Sequence, residues 1–197
     1  MDGQFHRRRL LQAGLAAAAA GAATPALAST TPTLVSHARR GQERAGEAVV
    51  YRDVVGIADF TAPSKAPRFH LVDLRNGTAT SLLVAHGRGS DPAHSGWLRS
   101  FSNDVGSAAT SQGAYVTGDY YVGKHGRSMR LRGLEGSNNN AEPRAIVVHG
   151  AWYVSPKMVA EHGVLGRSEG CFAFDEGDLP QVLARLGPGR LLLAGKY

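Results

Sequence analysis

The sequence predicts a mainly β, turn-rich single domain with one or two short helices. Three observations point there. Glycine is frequent, at 25 of 197 residues, while aromatic residues make up only 7%. Short apolar runs recur between clusters of turn-forming residues. One pair of β-prone runs, Phe69–Leu74 and Thr78–Ala85, flanks Asn76-Gly77, a dipeptide suited to a tight hairpin turn. With 43% hydrophobic and 19% charged residues the chain has enough apolar material for one ordinary core, and its length suits one domain behind a leader.

In chain order, residues 1–28 read as a secretory signal. Arg7-Arg8-Arg9 precedes a weakly apolar, Ala-rich run, and Ala26-x-Ala28 offers a small-residue cleavage site before Ser29. Paired arginines before such a run resemble a twin-arginine signal. The run is too short to span a bilayer, so no membrane anchor is expected after cleavage. Residues 29–48 read as a polar linker with room for a short helix, and the domain is expected over 49–197. Within it, Val54–Phe60 predicts a strand, followed by the hairpin just described. Residues 86–112, rich in Gly, Ser, Asn and Asp, predict a long ordered loop of the kind that carries function. Ala114–Val122, Ser128–Leu134 and Arg144–Val148 predict strands, the last apolar enough to be buried and to deliver His149 at its end. Pro156–Glu161 predicts a helical turn or two. Asp178 is the expected N-cap of a helix with Leu179, Val182, Leu183 and Leu186 as its apolar stripe. Gly187-Pro188-Gly189 stops that helix, and Arg190–Ala194 predicts a closing strand.

The formal charge is +6. Setting aside residues 1–28 leaves 19 basic against 15 acidic residues, or +4, which suits an anionic surface such as a cell wall. No Lys/Arg stripe interleaved with aromatic residues appears, so nucleic acid is not an expected partner. Cysteine usage is more informative. Cys171 is the one cysteine in the chain. In an exported protein a lone thiol is either put to use or buried as a small core residue, and the count alone does not choose.

The chemistry-bearing pieces are His149-Gly150 after a buried strand and Gly166-Arg167-Ser168-Glu169-Gly170-Cys171 in a Gly-rich loop. A thiol needs a neighbouring base to react near neutral pH, and an imidazole in hydrogen-bond reach supplies one and can return the proton to a leaving amine. Backbone N–H groups near Gly170 and Cys171 are suited to stabilise an oxyanion. These are the parts of acyl transfer through a thioester.

His149 precedes Cys171, an order opposite to that of papain-like peptidases. With Ser168-x-Gly170-Cys171, it resembles the murein L,D-transpeptidase catalytic domain. The resemblance runs from about Asp59 to Cys171 and is carried by Val84-Ala85-His86-Gly87-Arg88-Gly89-Ser90, Tyr121-x-Gly123-Lys124-His125-Gly126 and Arg144-Ala145-Ile146-Val147-Val148-His149-Gly150-Ala151. It implies a β-sandwich or barrel-like domain with a deep cleft and a long active-site loop. It also implies a cysteine that attacks the diamino-acid carbonyl of a peptidoglycan stem peptide, releases D-alanine and passes the acyl group to an amine. A backbone carbonyl orients the histidine in that family, carbapenems acylate the cysteine, and no metal or cofactor is used. The chain departs at Glu169, where many members have His, and at Phe172, where this branch often has Pro. Glu169 is expected to point outward or to pair with Arg167.

Cys171 and His149 are thus the expected nucleophile and base, with Gly170 beside them. Ser168 is read as positioning the thiol or the imidazole, or as a plain turn former. His86, His125 and Tyr153 are expected to line the cleft, and Arg167 to hold a substrate carboxylate or to lie on the surface. His86, His125 and His149 lack the short ligand spacing of a zinc site. The other readings are an L,D-carboxypeptidase or crosslink-cleaving enzyme using the same site, and an inactive wall-binding module. The oligomeric state is left open.

Overall fold

The computed structural model describes residues 31–197. The leader expected over 1–28 lies outside the described residues. The described residues form one eight-stranded sheet in the order β3-β2-β1-β8-β4-β5-β6-β7, with three α-helices. The strands are β1 (Val54–Asp59), β2 (Phe69–Asp73), β3 (Thr78–Leu82), β4 (Gly113–Gly123), β5 (Gly126–Gly133), β6 (Val147–Gly150), β7 (Phe172–Phe174) and β8 (Leu191–Gly195). The helices are α1 (Thr31–Ala45), α2 (Pro156–His162) and α3 (Leu179–Leu186).

The sheet curls until its two ends meet. Three residues beyond β3, Ala85 bridges to Ala173 of β7 and its N–H donates to the Ala173 carbonyl (2.9 Å), while Gly87 bridges to Ser168. β3 and β7 are the outermost strands in the order, so these bridges give the barrel-like closure.

β1, β2 and β8 are buried on both faces, which is why they read as nearly continuous apolar runs. Val55, Ile57, Val72, Leu191 and Leu193 pack under α1, while Ala58, Phe69, Leu71, Leu192 and Ala194 face the main core with α3. α1 replaces much of the expected linker. Its buried Leu34, Ala38, Gly41 and Gln42 lie at i, i+4, i+7 and i+8, one face of a helix. Gly41 is where helix and strand touch: a Cβ there would sit 2.6 Å from Leu193 Cδ1. The segment before Val49 is therefore docked on the sheet.

α2 begins at Ser155, whose Oγ accepts from the Met158 N–H (3.2 Å), with Pro156 in its first turn where a missing N–H costs nothing. α3 buries Val182, Leu183 and Leu186 as expected. Asp178 precedes it but makes no side-chain cap, and instead accepts from Gln181 Nε2 (3.0 Å). The loop over 86–112 holds a short 3-10 turn, Arg88–Ser90.

Candidate active site

β6 and β7 run parallel, with Val148 opposite Phe172 and His149 opposite Ala173. Paired residues in a ladder share a face, and neighbours along a strand alternate. Val148, Phe172 and Phe174 accordingly enter the main core. His149 and Cys171, the residue just before β7, fall on the opposite face one strand and two positions apart. Strand spacing and rise put their Cα atoms about 8 Å apart. Both line one cavity of about 330 Å³ with Ser168, Arg167, Tyr153 and His125.

The imidazole is 1% exposed, and its Nδ1 donates to the Gly150 carbonyl (2.9 Å). A carbonyl only accepts, so Nδ1 carries the proton and Nε2 is left as the basic nitrogen. The His125 ring lies flat against it, with centroids 4.1 Å apart and planes at 18°. Burial pushes the His149 pKa down to about 4, against an upward pull from the Gly150 carbonyl and with smaller downward effects from His125 and Lys124. Near neutral pH this histidine is an uncharged base.

The half-buried Cys171 thiol donates to the Ala145 carbonyl (3.5 Å) rather than to the imidazole. Burial pushes its pKa up; the Val147 N–H, Lys124 and Arg144 pull it down, and Glu169 pushes it up. The resting pair is therefore thiol and neutral imidazole, which favours proton transfer during attack over a stored ion pair.

The nucleophile turn is held from within and from beneath. Ser168 Oγ donates to the Cys171 carbonyl (2.6 Å) and accepts the Gly170 N–H (3.2 Å), so Ser168 shapes the turn. Gly170 has φ of +120°, a conformation that side-chain-bearing residues rarely adopt. The Ser168 N–H donates to the His86 carbonyl (2.9 Å), and the Arg88 N–H donates to the Ser168 carbonyl (2.7 Å).

Other expectations meet a different arrangement. The His86 side chain does not line the cavity. It is 1% exposed, accepts from Arg68 Nη2 at Nδ1 (2.6 Å), and turns Nε2 toward Asp91 Oδ2 (3.5 Å). Burial and the Arg68 charge push its pKa down to about 3, so it serves as a neutral strut under the loop. Asp91 in turn accepts from Ser95 and the Gly96 N–H, tying the 91–96 turn. Arg167 reaches the cavity wall, but its Nη1 donates to the Asp91 and Pro92 carbonyls. Glu169 pairs with Arg88 (3.4 Å) instead of Arg167 and is 67% exposed. Phe172 is fully buried. The Tyr153 hydroxyl, in the cavity wall, has its pKa pushed up to about 12 by burial and by Cys171 and Glu169.

Tyr121, Lys124 and Arg144 also line the cavity, and the sequence reading assigned them no role. The first two come from the β4–β5 hairpin, which folds over His149. Lys124, Arg144 and Arg167 outnumber the single carboxylate of Glu169, so the cavity favours an anionic ligand. Among the described residues no group of three His, Cys, Asp or Glu side chains is placed to hold a metal ion.

Residues 28–194 match the family model described as the L,D-transpeptidase catalytic domain. Similar solved structures include an L,D-transpeptidase from Mycobacterium tuberculosis, at 14% identity and TM-score 0.47, covering 73% of this chain and 58% of that one. A second is L,D-transpeptidase 3 from the same organism, at 16% identity and TM-score 0.41, covering 73% of this chain and 61% of that one. A third is the helical cell shape determining protein Pgp2 from Campylobacter jejuni, at 12% identity and TM-score 0.46, covering 86% of this chain and 55% of that one. This chain thus spans little more than half the length of the structures it matches. No curated protein matches the sequence significantly. The family match takes in nearly the whole described chain, including both faces of the cavity, and the chain belongs to the L,D-transpeptidase catalytic domain family.

Proposed function

We propose that the protein is an exported acyltransferase that acts on peptidoglycan stem peptides, with Cys171 as nucleophile and His149 as base. The observation that carries this reading is the β6–β7 pairing, which sets a thiol and a neutral imidazole on one face of one cavity. His149 Nε2 takes the thiol proton as sulfur attacks the carbonyl carbon of the stem peptide's diamino acid. The bond to D-alanine breaks, its nitrogen receives the proton from His149, and a thioester remains on Cys171. An amine acceptor then attacks the thioester, forms a new amide and releases the thiol. The excess of cations around the cavity supports a carboxylate-bearing peptide as substrate. The basic, Ala-rich leader supports work in the periplasm or cell wall. A carbapenem, a strained acyl donor, is expected to acylate the same sulfur.

The test is product analysis after incubating the protein with a tetrapeptide muropeptide and an amine acceptor. Acyl transfer predicts free D-alanine together with the cross-linked or exchanged product. Tripeptide without exchange would assign the site to hydrolysis, and unchanged substrate would remove the proposal.

A further inference from the structure

Arg144 stands just before the strand that carries His149, and its guanidinium turns back beneath the nucleophile turn. Nη1 donates to the Ser102 carbonyl (2.8 Å) and to Ser111 Oγ (2.7 Å), and Nη2 donates to the Ala109 carbonyl. All three acceptors belong to the loop over 86–112, so one planar group gathers its last stretch. The same elements press on Gly170. A Cβ there would meet the Ala109 carbonyl oxygen at 2.8 Å and Arg144 Nη2 at 3.2 Å. The guanidinium thus lies against the residue before the nucleophile. The following residue, Ala145, takes φ of +51° and presents the carbonyl that accepts the thiol's hydrogen bond.

The charge adds a smaller effect to the geometry, since the Val147 N–H and Lys124 lower the Cys171 pKa more than Arg144 does. Burial pushes the Cys171 thiol up, and Arg144 is one of the groups that oppose it. Lys124 acts in the same direction, but it sits exposed at a hairpin tip, whereas Arg144 is locked by three hydrogen bonds. Arg144 also forms a wall shared by the Cys171 cavity and a neighbouring cavity of about 350 Å³ bounded by Arg88, Val105 and Pro143.

We propose that Arg144 is a positioning residue for the nucleophile: its guanidinium braces the Gly170–Cys171 turn against the 102–111 stretch and holds a fixed positive charge beside the sulfur. This rests on the reading of Cys171 as nucleophile. The experiment is the rate of Cys171 alkylation by iodoacetamide against pH, followed by intact-protein mass; the chain has a single cysteine, so the label reports one site. Arg144→Gln is expected to raise the midpoint and so to slow alkylation at every pH below it. Arg144→Lys keeps the charge without the three-point brace and is expected to move it part of the way. A purely structural Arg144 would lower the melting temperature of Arg144→Gln and leave its midpoint where the wild type has it, and that result overturns the proposal. Should Arg144→Gln fail to fold, an unmoved midpoint in Arg144→Lys overturns the brace. Alkylation uses no peptide, so failure here leaves the muropeptide assay standing, and absent turnover there leaves this midpoint shift intact.

Discussion

Replacing Gly170 by Ala probes backbone strain and tight packing together at the nucleophile turn. At φ of +120° Gly170 lies beyond the left-handed region that other residues tolerate, and holding a side-chain-bearing residue there costs about 1–3 kcal/mol. The new Cβ would also sit 2.8 Å from the Ala109 carbonyl oxygen, a backbone atom that Arg144 holds in place. Overpacking of this kind adds about 1–3 kcal/mol. The combined cost of about 2–6 kcal/mol corresponds, at about 2–4 °C per kcal/mol for a chain of this size, to a fall in melting temperature of roughly 4–24 °C. Two controls separate the terms. Gly126 has φ of +71°, and a Cβ there would meet nothing within 4 Å, so Gly126→Ala carries the milder cost of a left-handed backbone with no clash. Gly136 has open space and no positive φ, so Gly136→Ala is expected to be nearly neutral. Thermal unfolding by circular dichroism ranks the three. A Gly170→Ala variant as stable as Gly136→Ala would overturn both terms, because the turn would then have room for a side chain.

Two further outcomes follow from burial. His149 and His86 are held neutral when folded, with pKa values near 4 and 3 against 6.5 when unfolded, so below pH 6.5 the unfolded chain binds more protons. Stability is therefore expected to be full above pH 6.5 and to fall by about 1.4 kcal/mol per pH unit for each histidine as pH drops toward its folded value. Melting temperatures of wild type and His149→Gln from pH 7 to 4 check this, the variant losing part of the acid sensitivity. Removing residues up to 48 strips α1 from Val55, Ile57, Leu191 and Leu193. Loss of the buried Leu34 alone costs about 1.5–3 kcal/mol, so a chain starting at Val49 is expected to melt lower and aggregate sooner than one starting at Thr31. Equal melting curves would restore the linker reading.

The parts of the fold written in local chemistry were legible. The Asn76-Gly77 hairpin, the stripe of α3 and the closing strand β8 each depend on residues adjacent in sequence. What escaped depends on distant partners. α1 is polar along most of its length, and its narrow apolar face declares itself only when Gly41 meets Leu193. β7 is three residues long, too short for a periodic signal, yet it pairs Phe172–Phe174 with β6 and places the nucleophile. His149 and Cys171 were visible as types in a pattern. The burial of His86 was not, because Arg68 comes from another segment and Asp91 meets it only through the turn of the 86–112 loop. Arg144 carried a faint signal, a cation abutting a buried apolar run, but the loop atoms it gathers lie 33 to 42 residues away.

Acyl transfer through Cys171 is checked most simply by the intact mass of the protein after brief incubation with a tetrapeptide muropeptide and no acceptor. The expected result is an adduct equal to the muropeptide less D-alanine on the wild type, none on Cys171→Ala, and slow accumulation on His149→Ala. Adduct formation that persists without the Cys171 sulfur, or a wild-type mass that never changes, would rule that chemistry out.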